Sequence, residues 1–378
     1  MTGIALAAAL LVSVAASAAA PVSVLPLAEV DYAPAKPFAE FHASLASTAS
    51  AAFVGTPGGL FRLPLRVEEG AAELSGFPGA SITRVYAEDG RLYVLKESTP
   101  TPNAATDHAL LRSDDDGATF VGLDHPLFTC HAGSCQFMFG SEAIVRGGTI
   151  YYAAGGNVLV SGDGGSTWTA LVGFLEPAMC YDPSIALVGE RLLIGGECPL
   201  DIAYIRAGRL TPGGLAWSEE PAAVLTPELE NRNIQFIERF GDSSLVYAGI
   251  EGALLRSWDE GASFEFVLHV PIEGHEKYPY IGSIWMSARA PGTILVGGFD
   301  KAVSEGGGWL ALSRNYGRTW TDVSGALPRD GGFRPDSVSF LEEDAEGRVL
   351  AGVIDTAATK VRIVEVRIDD VRKRTVRR

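Results

Sequence analysis

The sequence predicts an all-β chain folded as a seven-bladed β-propeller with four-stranded antiparallel blades. Three observations lead there. An eight-residue pattern, Ser-x-Asp/Asn-x-Gly-x-Thr/Ser-aromatic, is written four times, over residues 113–120, 161–168, 257–264 and 313–320. The copies start 48, 96 and 56 residues apart, and since 96 is twice 48, one repeat between the second and third has lost its copy. The chain also divides into seven β-rich blocks of about 46 residues, the size of a propeller blade. Bulk composition agrees: 378 residues exceed one ordinary compact core, and 44 Gly and 21 Pro scattered along the chain suit many short strands joined by turns.

Residues 1–20 carry an apolar run and then Ala16-Ser17-Ala18, a small-residue cleavage candidate, and read as a signal peptide that lacks the usual basic start. Residues 21–43, with Pro21, Pro26, Pro34 and Pro37, read as a linker or a ring-closing strand. The propeller is expected over 44–369, followed by a basic tail over 370–378. In the first block, strands at 51–56 and 60–65 flank a Pro57-Gly58-Gly59 turn. The second has strands near 82–86, 91–96 and 108–112, and the third near 143–145, 149–153 and 157–160. The fourth opens with a hairpin, 184–188 and 191–195 around Gly189-Glu190, and has Gly213-Gly214-Leu215-Ala216-Trp217 where its copy of the pattern would stand. The fifth runs through 235–240, 245–248 and 253–256, and the sixth through 283–287, 293–297 and 309–312. The seventh shows only three strands, 336–341, 348–353 and 360–368, so the segment near 22–30 is expected to supply the fourth and close the ring.

The residue types inside the pattern have a mechanical reason. Asp115, Asp163, Asp259 and Asn315 at the third position can accept backbone N–H groups of the turn. The glycine at the fifth position tolerates positive φ, and the terminal aromatic can wedge against neighbouring strands. A calcium loop is the competing reading of Asp114-Asp115-Asp116-Gly117. It fails, because aligning the glycine puts Arg112 at the first ligand position and Leu123 at the last. No metal and no cofactor is expected.

These four turns resemble the Asp-box (BNR) repeats of sialidase-like and related propellers, which include photosystem assembly factors and sortilin-like sorting-receptor ectodomains. The resemblance covers roughly residues 44–369. It implies that the boxes lie between third and fourth strands, away from the face that binds ligands, and that function belongs to the opposite loops. Sialidases carry Phe/Tyr-Arg-Ile-Pro on an innermost strand. Phe61-Arg62-Leu63-Pro64 is similar, but it follows a strand in the register of a third strand, so Arg62 is expected to be structural. Asp107 is the match to the family's acid/base position.

The loops of the opposite face are rich in polar and aromatic groups. Asp107, Arg232, Tyr278 and Arg334 form the candidate catalytic set, and Asp182, Glu230, His275, Tyr280 and Asp336 are candidate ligand-binding residues. Arginine for a carboxylate, a carboxylic acid for proton transfer and a tyrosine paired with glutamate are what a glycosidase acting on an acidic sugar would use. Serine-hydrolase, zinc-protease, P-loop and dinucleotide motifs are absent. The first expectation is a secreted or periplasmic binding or assembly module for a protein or glycan ligand; the alternative is a sialidase-like glycoside hydrolase.

A net charge of −16 opposes phosphate backbones and anionic membrane surfaces, so nucleic acid is excluded as a partner. No membrane span is expected after signal cleavage, and the chain is expected to be a monomer. Four cysteines allow three pairings. Cys130 and Cys135 share one loop. A two-residue hairpin at Gly189-Glu190 sets Cys198 opposite Tyr181 and close to Cys180. Cys130 with Cys135 and Cys180 with Cys198 are therefore the expected pairs; these cysteines and His131 lack zinc-site spacing.

Overall fold

The computed structural model describes residues 21–32, 43–65, 72–97, 109–123, 141–154, 157–172, 181–197, 204–212, 214–218, 223–224, 234–269, 279–300 and 306–369. Most of them lie in β-strands, and these form seven antiparallel sheets. Blade 1 runs Ser44–Ser47, Ala51–Thr56, Gly59–Pro64 and Glu73–Gly76; blade 2 runs Ser81–Glu88, Arg91–Glu97, Ala109–Ser113 and Val121–Gly122. Blade 3 is Ser141–Arg146, Thr149–Ala154, Asn157–Ser161 and Thr169–Val172. Blade 4 is Tyr181–Val188, Arg191–Glu197, Tyr204–Thr211 and Gly214–Trp217, with a short extra strand, Ala223–Val224, on the start of its third. Blade 5 is Ile234–Arg239, Val246–Ile250, Ala253–Ser257 and Glu265–His269, and blade 6 is Pro279–Met286, Ile294–Asp300, Gly308–Ser313 and Thr321–Asp322. Blade 7 takes Ser337–Glu343, Val349–Asp355 and Lys360–Ile368 from the end of the chain and its fourth strand, Val22–Asp31, from the beginning.

Tight turns explain why these segments pair within blades. In blade 2, Asp89 and Gly90 both have positive φ (51° and 75°), as a two-residue turn matched to the twist of a hairpin requires. The inner strands of blades 2, 4, 5, 6 and 7 each carry a β-bulge near their start. One of these bulges corrects the hairpin register expected in blade 4. Val188↔Arg191 through Ser184↔Gly195 pair as predicted, but the irregularity between Tyr181 and Ser184 slips the ladder, so Tyr181 faces Glu197 instead of position 198. The four cysteines lie outside the described residues.

Each blade is too thin to bury its own faces, and the core lies between blades. Every blade-to-blade interface holds one cluster of buried side chains. Between blades 1 and 2, for example, Phe53 and Leu60 meet Ile82, Leu92 and Val94. Close approach is built into the backbone: a Cβ added to Gly55 in blade 1 would stand 2.4 Å from Ile82 of blade 2. Burying apolar area in each interface gives the ring its cohesion.

The four repeated turns connect third and fourth strands in blades 2, 3, 5 and 6, and they share one hydrogen-bond plan. In blade 3 the Ser161 Oγ donates to Asp163 Oδ1 (2.8 Å) and accepts from the Gly165 N–H (2.8 Å), while Asp163 accepts from Thr167 N (2.8 Å) and Oγ1 (2.6 Å). The same bonds recur around Asp115 and Asp259. At Asn315 the amide Nδ2 donates to Thr319 Oγ1 instead (2.9 Å). These donors hold the Asp163 carboxyl down at about 2.

The turns also lock neighbouring blades together. Thr48 Oγ1 and Ser50 Oγ of blade 1 donate to Asp116, and Arg62 lies 3.6 Å from the same carboxylate. Arg112 of blade 2 donates to the Gly164 carbonyl (2.7 Å), and Trp320 Nε1 of blade 6 donates to the Val267 carbonyl of blade 5 (2.9 Å). Arg62 thus sits on the third strand of blade 1 and stitches it to blade 2.

Gly261→Ala combines a left-handed φ of 77° with a Cβ placed 2.4 Å from Leu193 of blade 4. A loss of about 2–4 kcal/mol is expected in urea unfolding. Gly90→Ala, at φ 75° with open space around it, is expected to lose only about 1 kcal/mol. Deletion of residues 22–31 leaves Lys360–Ile368 as an open edge beside uncovered apolar side chains; loss of the single cooperative unfolding transition and aggregation on size exclusion are the expected results.

Candidate functional site

Inner strands start at the loop face and end at the face of the repeated turns, since third strands, which run parallel to them within a blade, end in those turns. Of the residues singled out from the sequence, Arg334, Asp336 and Tyr280 are fully described. Asp182 lies on the inner strand of blade 4, and its side chain is outside the described residues, as are Asp107, Glu230, Arg232, His275 and Tyr278.

Arg334 and Asp336 meet on the loop face, in the connection from blade 6 to blade 7. The buried Asp336 carboxylate accepts Gly306 N (2.6 Å) from blade 6 and Thr356 N and Oγ1 (2.8 and 2.6 Å) from blade 7. Beside it, buried Asp355 accepts Arg334 N (2.6 Å) and Ala358 N (2.8 Å). Phe333 lies under the Arg362 guanidinium at 4.1 Å, and Arg362 also pairs with Asp330 (2.8 Å) and Glu29 (3.3 Å). Three loops are therefore held as one platform, with Arg334 half-buried at its surface. Tyr280 is buried in blade 6, its ring stacked on Phe299 at 4.7 Å.

The seven inner strands enclose a central channel of about 520 Å³. Its polar lining is the part that sequence reasoning missed. Tyr86 of blade 2 donates its hydroxyl to Glu142 of blade 3 and accepts the Ala143 N–H (3.1 Å), while Arg84 lies 3.6 Å from the same carboxylate. Burial, and then the charge of Glu142, push the Tyr86 phenol well above its usual range. Glu238 of blade 5 and Glu342 of blade 7 line the channel, exposed to its interior but surrounded by protein. Loss of bulk solvation is the main cause that pushes Glu238 up to about 7 and Glu342 to about 8; the charge of Glu142 adds to the first shift, and that of Glu238 to the second. The signal was present: charged residues interrupt otherwise apolar inner strands at Arg84, Glu142, Glu238 and Glu342.

Among the described residues, no cluster of three His, Cys, Asp or Glu could hold a metal ion, and no helix is long and apolar enough to cross a membrane.

No protein-family model and no curated protein matches the chain. Solved structures share its fold. A structure of YCF48 bound to D1 peptide is similar over 94% of this chain and 99% of that one, at 12% identity and a TM-score of 0.58. A GH74 xyloglucanase from Xanthomonas campestris is similar over 88% of this chain and 52% of its own length, at 14% identity and a TM-score of 0.61. The WD40 propeller domain of Doa1 is similar over 85% and 91%, at 11% identity and a TM-score of 0.55. At these identities the likeness is one of fold.

Carboxyls that bind protons more tightly folded than unfolded stabilise the fold below their ordinary value, 4.5 for Glu, and lose that contribution as pH rises through about 7 and 8. The melting temperature is therefore expected to fall between about pH 5 and pH 9. In Glu238→Gln/Glu342→Gln this decline should flatten in differential scanning calorimetry; an unchanged slope would refute the assignment of these two groups.

Proposed function

We propose that this chain is an exported propeller of the Asp-box type that works as a binding or assembly module, holding a protein segment on its loop face. The observation that carries the reading is the platform around Asp336 and Asp355. Buried carboxylates tie three loops into one surface before any ligand arrives, which lowers the ordering cost of binding. The architecture suits this use, and a propeller that spans almost the whole of this chain has been solved with a peptide bound. Export and a Cys180–Cys198 bridge belong to the same reading. The slipped register at Tyr181↔Glu197 supports the bridge, because a ladder continued one step further would set positions 180 and 198 opposite each other.

The hydrolase alternative has one observation in its favour, the hydroxyl of Tyr86 on Glu142 with Arg84 beside them. The phenol is tied at both ends, to Glu142 and Ala143 N, and its raised pKa opposes the phenolate a nucleophile needs. Arg239, the other guanidinium lining the channel, is bound to Asp242 (3.4 Å) and the Ser243 carbonyl (3.1 Å).

The test is an array of extended peptides and glycans probed with the full chain, beside a panel of fluorogenic glycosides. Peptide binding that weakens about tenfold, the loss of one good contact, in Arg334→Ala is expected, with glycoside turnover at background. Binding of glycans alone would replace the ligand class. Turnover abolished by Glu142→Gln and Tyr86→Phe would replace the proposal with the hydrolase.

A further inference from the structure

The channel carries an unbalanced charge. Glu88, Glu142, Glu238, Glu342 and Glu343 line it, against Arg84 and Arg239. Both guanidiniums are already engaged, Arg84 near Glu142 and Arg239 with Asp242. Glu142 also holds Tyr86, Glu343 accepts Trp285 Nε1 (3.3 Å) and lies 3.4 Å from Arg289, and Glu88 accepts the Gly147 N–H (3.1 Å). Glu238 and Glu342 have no hydrogen-bond or ion-pair partner among the described residues. Ser44 and Ser47 of blade 1, which also line the channel, each hold a buried hydroxyl oxygen with no hydrogen-bond partner among the described residues.

The size and spacing of these groups select among cations. The carboxylates come from blades 3, 5 and 7, spread round the ring, and no three of the described acidic groups converge as metal ligands. A cavity of about 520 Å³ is also far larger than one ion. An elongated organic cation meets both conditions: its methylenes can pass the partly exposed Ala46, Ala87 and Ile144 of the channel lining, and its ammonium groups can reach carboxylates on separate blades.

We propose that the central channel is a binding site for an alkylammonium chain, either a free polyamine or the lysine side chains of a peptide, with Glu238 and Glu342 as its anionic anchors. The site is separate from the loop-face platform and does not depend on what binds there. Glu238 and Glu342 hold protons near neutrality, so an entering ammonium drives those protons into the buffer. Binding therefore tightens as pH rises, within a field set by Glu142, Glu88, Glu343, Arg84, Arg239 and the Tyr86 hydroxyl.

Isothermal titration of the full chain at low salt, with spermidine in one arm and an acetylated, amidated trilysine peptide in the other, tests this. Affinity is expected to fall at least about tenfold between about pH 8.5 and pH 6, with proton release visible as a buffer-dependent heat. Glu238→Gln/Glu342→Gln should lose binding, while Glu73→Gln/Glu190→Gln, which changes net charge equally at exposed positions, should keep it. The tighter arm identifies the source as free polyamine or peptide. Equal affinity in the two double variants would reduce the effect to attraction by the chain's net charge and overturn the proposal, as would absence of binding in both arms at the higher pH. The thermal transition of each variant shows that it is folded.

Discussion

Closure of the ring rests on one antiparallel pairing between the two ends of the propeller. Val22 to Asp31 lie against Ile368 to Lys360, so the last sheet is assembled from residues more than 300 positions apart. Without that ladder, blade 7 would present an open edge, and the interfaces on both its sides would lose apolar cover. Val22 contributes to the cluster between blades 6 and 7, and Val30 and Tyr32 to the one between blades 7 and 1. The channel exists only because the seven inner strands are held in a circle, and the loop platform sits on the blade that the pairing completes. Pro26 is tolerated within this strand because the strand forms the outer edge of the sheet and its ladder is interrupted by a bulge between Pro26 and Ala28.

The repeated turns take a different part in the same construction. Their Asp and Asn side chains are consumed inside the turn, and in blades 2, 3 and 6 the residue before the glycine is bound by the blade that precedes it. The pattern therefore records how blades dock as well as how a hairpin turns. That explains why it can vanish from a blade without loss of the fold. In blade 4, Gly214–Trp217 still pairs with the third strand, and Arg206 lies over the Trp217 ring at 4.9 Å. Apolar contact between blades, present in every interface, carries the architecture where the polar clasp is missing.

Much of the fold was legible because the turn pattern fixes a register. Once Ser113, Ser161, Ser257 and Ser313 are placed at the ends of third strands, the two strands before each of them follow from alternation and glycine turns. Phe61-Arg62-Leu63-Pro64 then falls on a third strand. The inner strand of blade 1, Ser44–Ser47, and its outer strand, Glu73–Gly76, were not read from the sequence, because four-residue strands carry too little alternation to stand out. The bulge at Asp182-Pro183 was equally invisible, since a one-residue slip leaves no compositional trace. The candidate site was less legible still. The sequence directed attention to loops, where polar residues are expected, and away from Glu238 and Glu342, whose meaning depends on three blades meeting at an axis. Single charges on separate strands some hundred residues apart form no motif. Arg334 and Asp336 lie in a loop-face connection, and nothing in the sequence said that the Asp336 carboxylate would be occupied by Gly306 and Thr356.

The ring-closing ladder also decides where the propeller can be held. Asp369 N lies 3.4 Å from the Pro21 carbonyl, so the chain enters and leaves the propeller at a single corner of blade 7. That corner belongs to the face of the repeated turns, the one opposite the loops. Any tether attached through either end therefore grips the molecule from behind and presents the loop face outward, with the axis of the channel pointing away from the point of attachment.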